Sequence, residues 1–174
     1  MVKVIYFSRE GENLVNGQIN IINQGNTKQL AKIIASQLDC DMVEIKPVKD
    51  YPISYLETID IVEKELRENS KPAYYSVKNP LYGNHLFIGF PTWCGSMPRI
   101  MKHFLEQENV SKKIIYPFCT HEGSGFGRSL YELNKVCPLS SVMPGLAIQG
   151  SRVKTSQKSV SNWLVHYKHY SRRN

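Results

Sequence analysis

Strands and helices alternate along the chain, which predicts a doubly wound α/β fold: a three-layer sandwich with a five-stranded parallel sheet between two helix layers. Three observations carry that reading. Continuous apolar runs recur at Val4-Ile5-Tyr6-Phe7, Leu86-Phe87-Ile88-Gly89-Phe90 and Ile114-Ile115-Tyr116-Pro117-Phe118, as in strands covered on both faces. Stretches between them place apolar residues at helical spacing. One strand-like stretch, Asp41–Lys46, alternates instead, as a half-wet edge strand does. The common five-strand order 2-1-3-4-5 puts that second strand at an edge.

Taken in order, Val2–Phe7 forms the first strand. Glu10–Gln24 is rich in Gly and Asn around Ile19, Ile21 and Ile22, and reads as a small flap or hairpin. A helix follows from about Asn26 to Leu38, then the alternating strand, broken off by Pro47 and Pro52. Ser54 to about Asn69 is a second helix: Tyr55, Ile59, Val62 and Leu66 form one apolar stripe, and Ser54 with Glu57 is a capping-box pattern. On that helix Glu63, Glu65 and Glu68 read as a solvated face. Lys71–Gly83, with Pro72 and Pro80, is loop. Leu86–Phe90 is the third strand, and the third helix buries Met97, Ile100, Met101, Phe104 and Leu105. Ile114–Phe118 is the fourth strand, and a helix runs from about Arg128 to Val136. Leu146–Gln149 is the fifth. A last helix over roughly Ser156–His169 turns Val160, Trp163, Leu164 and Tyr167 inward, and Arg172–Asn174 is a loose tail. His103, His166 and His169 read as surface helix residues.

A length of 174 residues suits one domain with one good core. No run approaches the roughly 18 apolar residues of a membrane span. The first residues read as a strand rather than a signal peptide, which suggests a cytoplasmic protein. Cys40, Cys94, Cys119 and Cys137 lack CxxC or metal-type spacing and read as reduced, mostly buried thiols. The net charge is +7, and the segment from Ser151 onward supplies six of it (Arg152, Lys154, Lys158, Lys168, Arg172, Arg173, no acid), leaving +1 for the rest. No nucleic-acid motif accompanies this basic segment, so it reads as a solvated helix face or a contact for an acidic or nucleotide partner.

In such a sheet, ligands sit beyond the carboxyl ends of the strands where the winding reverses. Three loops meet at that rim. Ser8-Arg9 and Gly25-Asn26-Thr27-Lys28 lead into a helix N-terminus, a ready anion site. Pro91-Thr92-Trp93-Cys94-Gly95-Ser96 offers an aromatic plate beside small residues. Thr120-His121-Glu122-Gly123-Ser124-Gly125 is glycine-rich, with backbone donors. A lone Trp often packs under a loop, but Thr92 and Gly95-Ser96 beside it favour a ligand. An anion at one end and a flat ring at the other describe a mononucleotide with a planar head group.

These motifs, in this order over about residues 1–150, resemble the flavodoxin family, in particular a branch with a segment inserted into the phosphate loop. The resemblance implies non-covalent FMN. It implies that Ser8, Arg9, Asn26 and Thr27 hold the phosphate with Lys28 nearby. It further implies that Pro91, Thr92, Trp93, Cys94 and Gly95 line one side of the isoalloxazine, and that Thr120, His121, Gly123, Ser124 and Gly125 line its pyrimidine side. The departure is Glu10–Gln24, which stands where family members run almost directly from the first Ser into Gly-x-Thr. Two redox functions follow. One is an electron carrier serving a partner protein, although carriers of the family are acidic and this chain is basic. The other is an NAD(P)H-dependent FMN reductase acting on a quinone or a similar small acceptor. A third reading is a binding module that kept the fold and lost the cofactor.

Overall fold

The computed structural model describes residues 2–77, 83–108 and 110–171. Its elements are β1 (Val2–Tyr6), β2 (Gly11–Val15), β3 (Gln18–Ile22), α1 (Asn26–Leu38), β4 (Met42–Glu44), α2 (Tyr55–Glu68) and β5 (His85–Pro91). They continue with α3 (Arg99–Gln107), β6 (Ile114–His121), α4 (Ser129–Val136), β7 (Ser141–Val142) and β8 (Leu146–Gln149). A 3-10 turn (Gly150–Thr155) then leads into α5 (Gln157–Trp163) and α6 (Val165–Ser171).

The main sheet runs β4-β1-β5-β6, with β7 and β8 both parallel to β6. That is the expected order, with one difference: two short strands share the fifth position, so the sheet has six strands rather than five. β7 pairs with Ile114-Ile115, and β8 with Phe118–His121. Pro144 falls between them, and a residue without an N–H cannot continue a ladder. Strands buried on both faces send alternate residues to opposite helix layers. Ile5, Phe7, Leu86, Ile88, Phe90, Ile115 and Cys119 pack with Met101, Phe104 and Leu105 of α3 and Leu133 of α4. Val4, Tyr6, Phe87, Tyr116 and Phe118 pack with Leu30 and Ile34 of α1 and with Val160, Trp163 and Leu164. All of these but Trp163 (7%) are 1% exposed or less, so the apolar runs and stripes are core on both faces.

The segment Glu10–Gln24 contains an antiparallel hairpin, β2-β3, from the Gly11↔Ile22 pair to Val15↔Gln18. Asn16 (φ 52) and Gly17 (φ 79) make its two-residue turn. Two successive left-handed residues give the turn whose twist matches the flanking strands, and Asn-Gly is the pair that adopts it at least cost. α2 begins after Ser54, whose Oγ accepts from the Glu57 N–H at 3.4 Å. The Tyr55 N–H is satisfied from the hairpin instead, by the Glu12 carboxylate at 2.9 Å. Part of the expected 71–83 loop is extended: Tyr75 N–H donates to Lys46 O and Val48 N–H to Ala73 O, both at 2.9 Å. Pro80, the Arg172–Asn174 tail and the His169 side chain lie outside the described residues. The single last helix expected from the sequence is divided at Leu164 into α5 and α6.

Candidate functional site

The carboxyl ends of β1, β5 and β6 open onto one cavity of about 560 Å³. Ser8, Arg9, Asn26 and Thr27 line it from the first loop, Pro91, Thr92, Trp93, Cys94 and Gly95 from the second, and Thr120, His121, Gly123 and Ser124 from the third. Two expected residues are absent from the lining. Lys28 turns its ammonium to Glu44 at 2.9 Å and borders a separate cavity of about 730 Å³, which Ser8 and Arg9 also line. A carboxylate within reach holds the lysine away from the helix end. Gly125 presents its carbonyl to Thr92 Oγ1 at 2.7 Å, and so ties two loops together.

At one end lies the α1 N-terminus. The first N–H groups of a helix find no partner inside it and carry the positive end of its dipole. Ser8 Oγ accepts from the Lys28 N–H at 3.0 Å, and no side chain caps the helix at Gly25. A Cβ on Gly25 would stand 2.2 Å from Ser8 Oγ and 2.5 Å from Arg9 O, so the close approach of these two loop segments requires glycine. Thr27, 2% exposed, shares a 2.7 Å hydrogen bond with the Thr120 hydroxyl. The bond joins the first and third loops beneath the cavity floor.

At the other end stands Trp93. Its ring packs edge-on against Phe7 (5.2 Å) and Tyr51 (4.9 Å), which fixes the indole plane. Trp93 and Ser96 exchange two 2.9 Å backbone bonds around Cys94 (φ 48) and Gly95 (φ 69). Cys94 stands exposed on this tight turn. The turn is held from α4: the Ser96 hydroxyl donates to the Glu132 carboxylate at 2.7 Å, and the Met97 N–H to the same oxygen at 3.1 Å. Behind Trp93, the Tyr51 hydroxyl donates to Glu65 at 3.1 Å. Glu65 is therefore half-buried rather than on the solvated face expected of it, and burial raises its pKa, the Tyr51 bond and the Arg99 charge pulling the other way.

Arg9 lines the cavity but spends its guanidinium elsewhere. It donates to the carbonyls of Glu12 (2.6 Å), Pro52 (2.6 Å), Ile53 (2.6 Å) and Ser54 (3.1 Å), and its burial lowers its pKa. Glu122, expected in the third rim loop, is also in the lining, together with Asn13, Leu14, Tyr55, Thr58, Ile59, Val62 and Gly150, which sequence alone did not bring to the rim. One oxygen of Glu122 accepts from the Asn16 N–H at 3.3 Å, while the other, Oε1, is buried without a partner among the described residues. A buried acceptor left open is a demand for a donor, such as a hydroxyl. The cavity thus matches a molecule with an anionic end, hydroxyls and a flat ring. Among the described residues no group of His, Cys, Asp and Glu is arranged to hold a metal ion.

Comparison with known proteins agrees with this geometry. No curated protein sequence matches the chain. Among solved structures, a presumed flavoprotein from Bacteroides uniformis is 25% identical with a TM-score of 0.73, covering 94% of this chain and 96% of that one. A presumed flavoprotein from Bacteroides eggerthii (24% identical, TM-score 0.73, 94% of both chains) and a flavoprotein in complex with FMN from Lactobacillus acidophilus share the fold. The last is 19% identical with a TM-score of 0.64, covering 88% of this chain and 96% of that one. A family model described as flavodoxin matches residues 19–167, from within β3 to within α6. With its sheet order, its rim cavity and that match, the chain belongs to the flavodoxin family.

Proposed function

We propose that the chain is an FMN-binding redox protein that carries electrons through its flavin. The observation that supports this most is the convergence of the α1 N-terminus, Trp93 and the Thr120–Ser124 loop on one cavity. The flavin supplies the electron chemistry; the protein binds it, orients it and sets its surroundings. The phosphate sits at Ser8, Asn26 and Thr27, where helix N–H groups meet an anion. Trp93 stacks on the ring, and its two aromatic neighbours keep it from turning away. The Cys94-Gly95 turn leaves an edge of the site open to solvent, where a redox partner docks. Four unpaired cysteines suit a reducing, cytoplasmic setting.

The reductase reading is favoured by one observation. The 3-10 turn after Gly150, itself in the cavity wall, carries Arg152 and Lys154 exposed beside α1. Cations there attract the phosphates of NAD(P)H or the acidic face of a partner protein. Stopped-flow mixing of the flavin-loaded protein with NADPH and NADH separates the two. Bleaching of the flavin band within seconds supports the reductase acting on a small acceptor. No bleaching, with rapid bleaching once a flavodoxin-reducing protein is added, supports the carrier. A folded protein that takes up no FMN overturns both.

A further inference from the structure

The hairpin β2-β3 interrupts the loop that leads into the α1 N-terminus, and nothing in the redox reading gives it a role. Three sets of contacts fix its position. At its base, the Arg9 guanidinium and the Glu12 carboxylate fasten it to the residues that open α2. Along its length, Asn13 and Leu14 line the cavity. At its tip, the Asn16 N–H donates to Glu122 on the loop after β6. That tip lies over the anionic end of the cavity. A Cβ on Gly150 would stand 2.3 Å from Asn26 Nδ2 and 2.5 Å from Glu122 Oε1, so Glu122 and the first residue of α1 meet at one point. The hairpin therefore bridges from the start of α2 to the rim above α1, across the mouth.

We propose that this hairpin roofs the anionic end of the flavin site, with Asn13 and Leu14 as cofactor contacts, and so restricts the site to a flavin that ends at its first phosphate. The inference rests on the FMN reading above. A dinucleotide flavin continues from that phosphate through a second one to an adenosine. The continuing chain meets the hairpin tip and the Glu122 side chain, which obstruct it sterically. Riboflavin fits under the roof but forgoes the helix N-terminus.

The test is the ratio of FAD to FMN dissociation constants, read by quenching of flavin fluorescence on adding the purified apo chain. The natural chain binds FMN at least a hundredfold more tightly than FAD. A shortened hairpin lacks Leu14, Val15, Gln18 and Ile19 but keeps Asn16-Gly17 as its turn, now closed by the Asn13↔Asn20 pair. Its ratio falls at least tenfold. Should circular dichroism show that the shortened chain does not fold, Asn16→Pro serves instead. Proline lacks the latching N–H and cannot take φ 52, so the tip opens at full chain length. Equal FMN and FAD affinities in the natural chain, or an unchanged ratio in the variant, overturn the roof and leave the FMN reading standing. A natural chain that binds no flavin overturns both.

Discussion

At the scale of single residues, buried hydroxyls and thiols give the sharpest expectations. Thr27 binds the Thr120 hydroxyl as well as bordering the anion site, so Thr27→Val removes one polar contact to a ligand and strands another buried hydroxyl. FMN affinity is expected to fall by about tenfold, or roughly 1.4 kcal/mol, and riboflavin affinity by less; equal losses in a fluorescence titration contradict the placement. Cys94 is exposed, yet partial burial and the Glu63 charge raise its thiol pKa against the opposing pull of Arg128. Alkylation requires the thiolate. Iodoacetamide should therefore label Cys94 slowly at neutral pH and faster as pH rises through 9, the ordinary thiol value. Burial pushes Cys119 and Cys137 up to about 12, so mass spectrometry should find them modified only after unfolding. The loop residues were legible in the sequence because Gly, Ser, Thr and Trp cluster between apolar runs. Lys28 was misplaced because its partner, Glu44, is brought near by strand pairing that local sequence does not encode. Glu122 was placed in its rim loop, but its partners Asn16 and Gln149, distant in sequence, were not legible.

At the scale of elements, the hairpin and α2 behave as one unit joined by Arg9 and Glu12. Arg9→Met keeps the side-chain stem and removes the donors to the carbonyls of Glu12, Pro52, Ile53 and Ser54. Hydrogen bonds from a charged group contribute about 1.5–3 kcal/mol, so the melting temperature should drop by several degrees. Amide exchange should accelerate in residues 11–22 and at the start of α2 before it does in the main sheet; uniform acceleration means that the clamp does not act locally. The boundaries of α1 and α2 were readable from their stripes and from Ser54. Tyr55, Ile59, Val62 and Leu66 form one apolar stripe, and three of the four, Tyr55, Ile59 and Val62, line the cavity. Spacing identifies a face of a helix but not what that face meets. The hairpin had an unused signal in Asn16-Gly17, a dipeptide that favours a two-residue turn between strands.

At the scale of the whole molecule, winding order does the work. Reversal of the chain between β1 and β5 leaves a crevice at their carboxyl ends, and the three loops that line the cavity fall there. The fold class and strand order were legible because buried parallel strands leave unmistakable apolar runs. The split fifth position was not, since a two-residue strand such as Ser141-Val142 carries no periodicity. Among the described residues, the basic C-terminal segment continues from the 3-10 turn into α5 and α6, whose inner residues pack on the β1, β5 and β6 face, and Arg152 and Lys154 stand on the turn that begins at Gly150 in the cavity wall. Titration of the apo chain with FMN while following flavin fluorescence, in the natural chain and in Trp93→Ala, decides whether the rim cavity is the flavin site. One equivalent should bind with strong quenching, and the variant should lose both quenching and roughly 1–3 kcal/mol of affinity, on the scale of base–aromatic stacking. A chain with its native circular dichroism that leaves the flavin free, or a variant that binds and quenches like the natural chain, contradicts the site.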